Sequence, residues 1–238
     1  MANVENFPFF ILHWMHVFAS LIWIGTLYFF NFFLTPFLAK ARPEVRIDVF
    51  HRLVPLTLVG FNWSTLATLL TGWAIYLHQW ASSGSQVFFK WPYGLAISVG
   101  GFLGTVMFLN GWLVMHPKQK LVIASAMEVA KGGQPDPAVA DHSRRVVLMS
   151  RTNLLLSIPM IFLMIAATHD SSLTTMRGVA APVWFWLIVL ATVALVELNG
   201  LWGTEGPTKK LLEPVKGAAA MGAILLVVYY AMIQSLIE

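Results

Sequence analysis

The sequence predicts an all-α integral membrane protein, a six-transmembrane-helix bundle with both termini outside (periplasmic). Three observations carry that prediction. Of the 238 residues, 58% are apolar and only 11% are charged, with mean hydropathy +0.71, whereas a soluble domain carries about a quarter charged residues. Six stretches hold no Asp, Glu, Lys or Arg: 6–39, 53–89, 91–117, 152–169, 178–196 and 217–237. Each is long enough for the roughly 20 apolar residues that cross a bilayer as a helix. Finally, thirteen of the fifteen basic residues fall in alternate connections between these stretches. Such a composition excludes a soluble enzyme, a nucleic-acid-binding domain and a disordered chain.

The spans are expected near 8–35, 54–79, 92–115, 148–168, 182–202 and 216–236, within a single transmembrane domain covering 1–238. Pro8 and Pro182 each sit where a first-turn proline is tolerated. Residues 1–6 lack a positive n-region, and the apolar run that follows is too long for a cleaved signal peptide. The first helix is therefore expected to remain in the mature chain. The first connection, 40–52, holds Lys40, Arg42, Arg46 and Arg52. The third, about 118–151, holds Lys118, Lys120, Lys131, Arg144, Arg145 and Arg151, and the fifth holds Lys209, Lys210 and Lys216. Only Lys90 and Arg177 lie on the other side. The positive-inside rule then puts the odd connections in the cytoplasm of a bacterial inner (cytoplasmic) membrane.

Within the third connection, Pro117 can open a helix and 118–130 mixes basic with apolar residues. A short cytoplasmic surface helix between helices three and four is expected there. Gly132-Gly133-Gln134-Pro135-Asp136-Pro137 closes it as a turn. No internal repeat is evident. There is no cysteine, which excludes disulfides, Fe–S clusters and C-x-x-C-H haem attachment within the chain.

Of the seven histidines, four approach the outer side. His13 and His16 lie in the outer half of helix one, with His16 roughly 12 Å along at 1.5 Å per residue. His78 and His169 fall at the outer ends of helices two and four. His51 and His116 fall at cytoplasmic ends, and His142 in a cytoplasmic loop. Ionisable groups inside a membrane are costly and mark function, and a neutral imidazole can ligate haem iron. His16, Ser20 and Trp23 share one face at i, i+4, i+7, and His13 precedes them by three. The alternative is that His13 anchors at the interface and His16 is a hydrogen-bonded packing residue. His16, His13, His78 and His169 are thus candidate cofactor-binding residues, with His16 the first candidate ligand to a haem iron.

Glu197 is the one carboxylate well inside a span. Asn110 on helix three and Asn153 on helix four are expected at comparable depth. The three are candidates for a proton relay or quinone-site acid, or for a protonated carboxyl bonded to two amides that stitches the bundle together. Gly100, Gly101 and Gly104 make a small face on helix three, suited to close helix packing or to a flat macrocycle. Trp80, Trp91, Trp184, Trp186 and Trp202 lie near the expected interfaces, where aromatic belts are ordinary. No phosphate loop, H-E-x-x-H or same-sided Ser-His-Asp set is present.

Trp14-Met15-His16-Val17, Trp23-Ile24-Gly25 and Tyr28-Phe29 together resemble the opening helix of the membrane domain of bacterial membrane-bound urate hydroxylases, the PuuD family. Three further stretches follow the same pattern in order. They are Phe61-Asn62-Trp63 with Leu70-Thr71-Gly72, then Gly104-Thr105-Val106-Met107 with Asn110 and Pro117-Lys118-Gln119-Lys120, and Pro135-Asp136-Pro137 with Asn153, Ile158-Pro159 and Phe162-Leu163-Met164. The resemblance covers roughly residues 10–170. It implies a relative of b-type cytochromes with helix-borne histidines as haem ligands, and electron transfer to a cytochrome c. His16 matches the family's first-helix histidine, and His169 lies close to its outer histidine on helix four. This chain departs from the pattern with Ser20 for a glycine, and with Ser98 and Thr152 at histidine positions. No cytochrome c extension follows Glu238, so a separate periplasmic cytochrome c is the expected partner.

Three functions follow as expectations. The first is a membrane electron-transfer subunit with a b-type haem toward the outer leaflet, ligated by His16 with His78 or His169. The second is a structural or accessory subunit of a larger membrane complex, holding no haem, a chlorophyll-type pigment or nothing. The third is a urate hydroxylase proper, which needs a polar pocket for an anionic purine.

Overall fold

A computed structural model of the chain describes residues 7–84, 88–174, 178–179 and 181–237. Among them, six helices are long and apolar enough to cross a membrane, and the protein is a multi-pass helical membrane protein. We label them α1 (Phe7–Lys40), α2 (Pro43–Ser83), α3 (Pro92–Ala130), α4 (Val139–His169), α5 (Val183–Leu201) and α6 (Val215–Ser235). Two short helices, Ser171–Thr174 and Pro207–Leu212, lie in connections. Arg177, counted above among the basic residues, lies outside the described residues.

Helices α2, α3 and α4 run well past the charge-free windows. Between α1 and α2 the helical path breaks only at Ala41 and Arg42, both extended, so the expected 40–52 loop is mostly helix. The separate surface helix expected at 118–130 is instead the unbroken continuation of α3. Arg144, Arg145 and Arg151, counted above with the third connection, all lie on α4. The reason is physical: a charge-free window measures what lipid tolerates, whereas backbone hydrogen bonding continues wherever a neighbouring helix supports it.

Each of α1, α2 and α3 contains one π-helical turn, at Phe29–Leu34, Val49–Leu53 and Asn110–Met115. Each turn ends two residues before a proline: Pro36, Pro55 and Pro117. A proline inside a helix lacks the N–H donor, and its ring collides with the carbonyl four residues back. Widening the preceding turn relieves both problems. The residue before each proline donates five residues back: Thr35 to Phe30, Val54 to Val49 and His116 to Gly111. Thr35 Oγ1 also donates to the Phe30 carbonyl, at 2.7 Å.

Helix α4 is the axis of the bundle. Of its most apolar window 67% is buried, against 39% for the next most buried helix. It packs on α3 and α6 along most of its length and touches α1 and α5, while α1 pairs with α2. Gly222 sets the α4–α6 approach, since a Cβ there would lie 2.6 Å from the Leu155 carbonyl oxygen. The core runs through Leu103, Leu148, Leu155, Leu163, Phe185 and Tyr229.

Candidate functional site

Two polar clusters follow from residues singled out in the sequence, and a third does not. The first lies on the seam between α1 and α2. His16 Nδ1 is 3.0 Å from the Thr68 carbonyl oxygen and 3.2 Å from Thr71 Oγ1. Because a backbone carbonyl only accepts, the proton sits on Nδ1 and Nε2 keeps its lone pair. This arrangement, one ring nitrogen donating to a carbonyl, is how a metal-ligating histidine is oriented. Gly72 makes the approach possible, since a Cβ there would stand 2.8 Å from His16 Cε1. On the same face, one turn and then two turns on, Ser20 Oγ donates to the His16 carbonyl at 2.7 Å, and Trp23 is 2% exposed with its Nε1–H unpartnered.

The other outer histidines have near neighbours of their own. His13 Nδ1 is 2.9 Å from the Phe9 carbonyl of its own helix. The Phe9 ring packs edge-on to His13, at 4.3 Å between centroids, and against His78 at 4.2 Å. His169 on α4 is exposed, with Nδ1 close to the Ile165 carbonyl and Thr168 Oγ1. Among the described residues no group of three or more His, Cys, Asp or Glu is placed to hold a metal ion. Of the glycine face of α3, Gly100 and Gly104 are covered by α4, with Met164 Cε 3.2 Å from a Cβ at Gly100 and Met160 Sδ 3.3 Å from one at Gly104, whereas nothing lies within 4 Å of one at Gly101. Ser98 Oγ is bonded to Tyr76 at 3.0 Å. Thr152, fully buried and unpartnered at Oγ1, lies against Gly200 of α5. His16, on the α1–α2 seam, is thus held as an axial ligand to a haem would be, with Nδ1 on a backbone carbonyl.

The second cluster joins three helices in mid-bundle. Asn110, where the π turn of α3 begins, donates through Nδ2 to Glu197 Oε1 on α5 at 2.8 Å and to Asn153 Oδ1 on α4 at 2.9 Å. Asn153 Nδ2 in turn donates to the Met107 carbonyl at 3.0 Å. Equal depth along the helices, readable from the sequence, has become direct contact. Glu197 here accepts an amide hydrogen bond, which either protonation state of its carboxyl can do.

The third cluster was missed. Arg151 on α4 is 5% exposed, and among the described residues no carboxylate pairs with it. Its Nη1 donates to Asn31 Oδ1 on α1 and its Nε to the Glu213 backbone carbonyl at 2.9 Å. Asn31 is fully buried and donates through Nδ2 to Leu27 O at 2.7 Å and Ser150 Oγ at 2.9 Å. The Glu213 carboxylate is taken by Arg144. Lys209 is also buried at this end, and desolvation together with the nearby Arg145 charge holds its ammonium below the usual lysine range. One sequence signal existed: Asn31 is the sole amide in the charge-free stretch between Phe7 and Ala39.

Beside Arg151 lies a cavity of ~120 Å³ between α1, α2, α3 and α4. Phe30, Leu34, Phe50, Leu58, Phe61 and Met115 form much of its wall. All three π turns contribute to that wall.

Comparison with known families adds one finding. A family model described as urate oxidase N-terminal matches residues 92–232. The matched region contains Asn110, Arg151, Asn153 and Glu197, and begins after His13, His16 and His78. No curated protein and no solved structure matches the chain significantly.

Proposed function

The chain belongs to the urate oxidase N-terminal family, and on that premise we propose that it is the membrane electron-transfer component of a urate-oxidising system. In this reading it holds a b-type haem on His16 toward the outer leaflet and passes electrons to a periplasmic cytochrome c. The observation that carries the haem assignment is the His16 imidazole itself. Its Nδ1–H is committed to the Thr68 carbonyl, and its Nε2 lone pair is left for a metal. The unpartnered Trp23 Nε1–H on the same helix face supplies a donor for a polar edge of the bound group. Haem would supply one-electron redox chemistry; the protein's part is to fix the imidazole tautomer and to seat it over Gly72. The lopsided basic residues support the orientation, with both termini periplasmic in a bacterial inner membrane.

The accessory-subunit reading is favoured by a different observation. Met160 and Met164 cover Gly104 and Gly100, Tyr76 is hydrogen-bonded to Ser98, and Thr152 is shut against Gly200. A chain whose interior is closed in this way serves as a scaffold for partners in the membrane.

An absorption spectrum of the purified protein after haem-replete expression, oxidised and then dithionite-reduced, with pyridine haemochrome analysis, separates the two. A stoichiometric b-type spectrum that disappears in folded His16→Ala supports the first reading. A colourless, folded wild-type protein overturns it in favour of the scaffold.

A further inference from the structure

The cavity beside Arg151 has a chemistry of its own, independent of the haem reading. Its walls are largely apolar, and besides Arg151 the polar residues that line it are Thr35, Gln119, Ser143 and Ser150. Thr35 Oγ1 donates to the Phe30 carbonyl, and Ser150 Oγ accepts from Asn31. Of the residues that line the cavity only Arg151 is charged, a guanidinium nearly excluded from solvent and bonded to uncharged oxygens, of Asn31 and of the Glu213 backbone. Those dipoles fill hydrogen bonds but leave a whole positive charge. A charge buried without a counter-charge is expensive.

The backbone around the cavity is also unusual. Three π turns, from three different helices, converge on this one space. Such turns recur at functional sites because they re-aim side chains and open the helix wall. Here each is followed two residues on by a proline, Pro36, Pro55 and Pro117, whose missing N–H the wider turn accommodates.

From the cavity, its apolar wall and the uncompensated Arg151, we infer that this space binds an anionic amphiphile, an alkyl chain ending in a carboxylate or phosphate group. The anionic end lies beside Arg151 and the chain lies along Leu58, Phe61, Phe30 and Met115. A purine anion is disfavoured, because its polar edge runs all round the ring and these walls would leave it unpaired. Free fatty acids and anionic phospholipids share the required chemistry.

The test uses the full chain in a bulky sterol-type detergent, with native mass spectrometry to read bound ligand. The probes are dodecanoate, dodecyl phosphate, dodecanol and urate. One dodecanoate or dodecyl phosphate per chain is expected, at least tenfold tighter than dodecanol. The tighter of the two anions tells a fatty-acid source from a phospholipid one. Arg151→Gln should abolish the preference for the charged probes. Val146→Phe, which fills the cavity wall without touching the Arg151–Asn31 contact, should lose all alkyl binding while retaining wild-type helicity and melting. Dodecanol binding as tightly as the anions overturns the inference. So does undiminished anion binding by Val146→Phe, or binding of urate in place of the alkyl anions.

Discussion

Asn31 receives the guanidinium of Arg151 on its side-chain oxygen while its amide nitrogen donates to Ser150, the next residue along α4. One buried amide on α1 thus holds two consecutive side chains of the central helix. Asn31→Leu leaves Arg151 with the Glu213 carbonyl alone and should cost about 3 kcal/mol, the scale for stranding a buried charge. Asn31→Asp supplies a carboxylate to the same guanidinium and should lose much less. Denaturant titration in mixed micelles ranks the two, and a wild-type stability for Asn31→Leu would refute the claim that this contact holds α1 to α4.

The Glu197 carboxyl meets Asn110 as a hydrogen-bond acceptor. Glu197→Gln keeps an acceptor oxygen at that place and should fall within about 1 kcal/mol of wild type. Glu197→Ala leaves one of the two Asn110 side-chain N–H donors without its partner and should cost about 1–3 kcal/mol. Equal losses in the two variants, measured by the same titration, would mean that charge rather than the hydrogen bond matters there.

Two glycines on lipid-embedded helices should answer differently to the same substitution. At Gly222 a Cβ would meet the Leu155 carbonyl oxygen at 2.6 Å, and that backbone cannot move aside cheaply; at Gly101 nothing lies within 4 Å. Gly222→Ala should cost about 1–3 kcal/mol through overpacking. Gly101→Ala should be neutral, or stabilising by up to about 1 kcal/mol through helix propensity. Thermal melting of the pair checks the order, and the reverse order would show that the α4–α6 contact is looser than described.

Asp170, just beyond the end of α4, accepts from Tyr230 of α6 and from Ser172. These hydrogen bonds hold its carboxyl below its ordinary value of 3.8, with Tyr230 the largest contributor. A lowered folded-state value means that the contact stabilises fully above the ordinary value, and that the contribution is lost as pH falls through the folded one. The wild-type advantage over Asp170→Asn should therefore be constant from pH 7 to about 5 and shrink below about 4. Melting curves from pH 7 down to about pH 2 would show it. A gap that widens in acid would contradict the sign.

The six spans were readable because the membrane imposes a one-dimensional rule: a stretch either lacks charge for about 20 residues or it does not. Depth was readable for the same reason, which is why Asn110, Asn153 and Glu197 could be grouped before any contact was known. Rotation about each helix axis and the choice of neighbours were not readable, because they depend on which helices adjoin. Pro117 illustrates this. From sequence it opens a new helix; in the structure it lies inside α3, and the cost is absorbed by the π turn that ends at Met115. Pro159 lies inside α4 without such a turn, so the proline alone does not dictate the response.

By itself, then, the sequence determined a six-span membrane bundle, the depth of its polar residues and the lopsided distribution of its basic ones. Tertiary structure alone decided that Met164 and Met160 cover Gly100 and Gly104, that His16 turns to Thr68, and that Arg151 lies in a largely apolar wall beside Asn31. Composition and spacing record how far a residue lies along the membrane normal. Contacts across the bundle are set by packing of helix on helix, and no single helix carries that information.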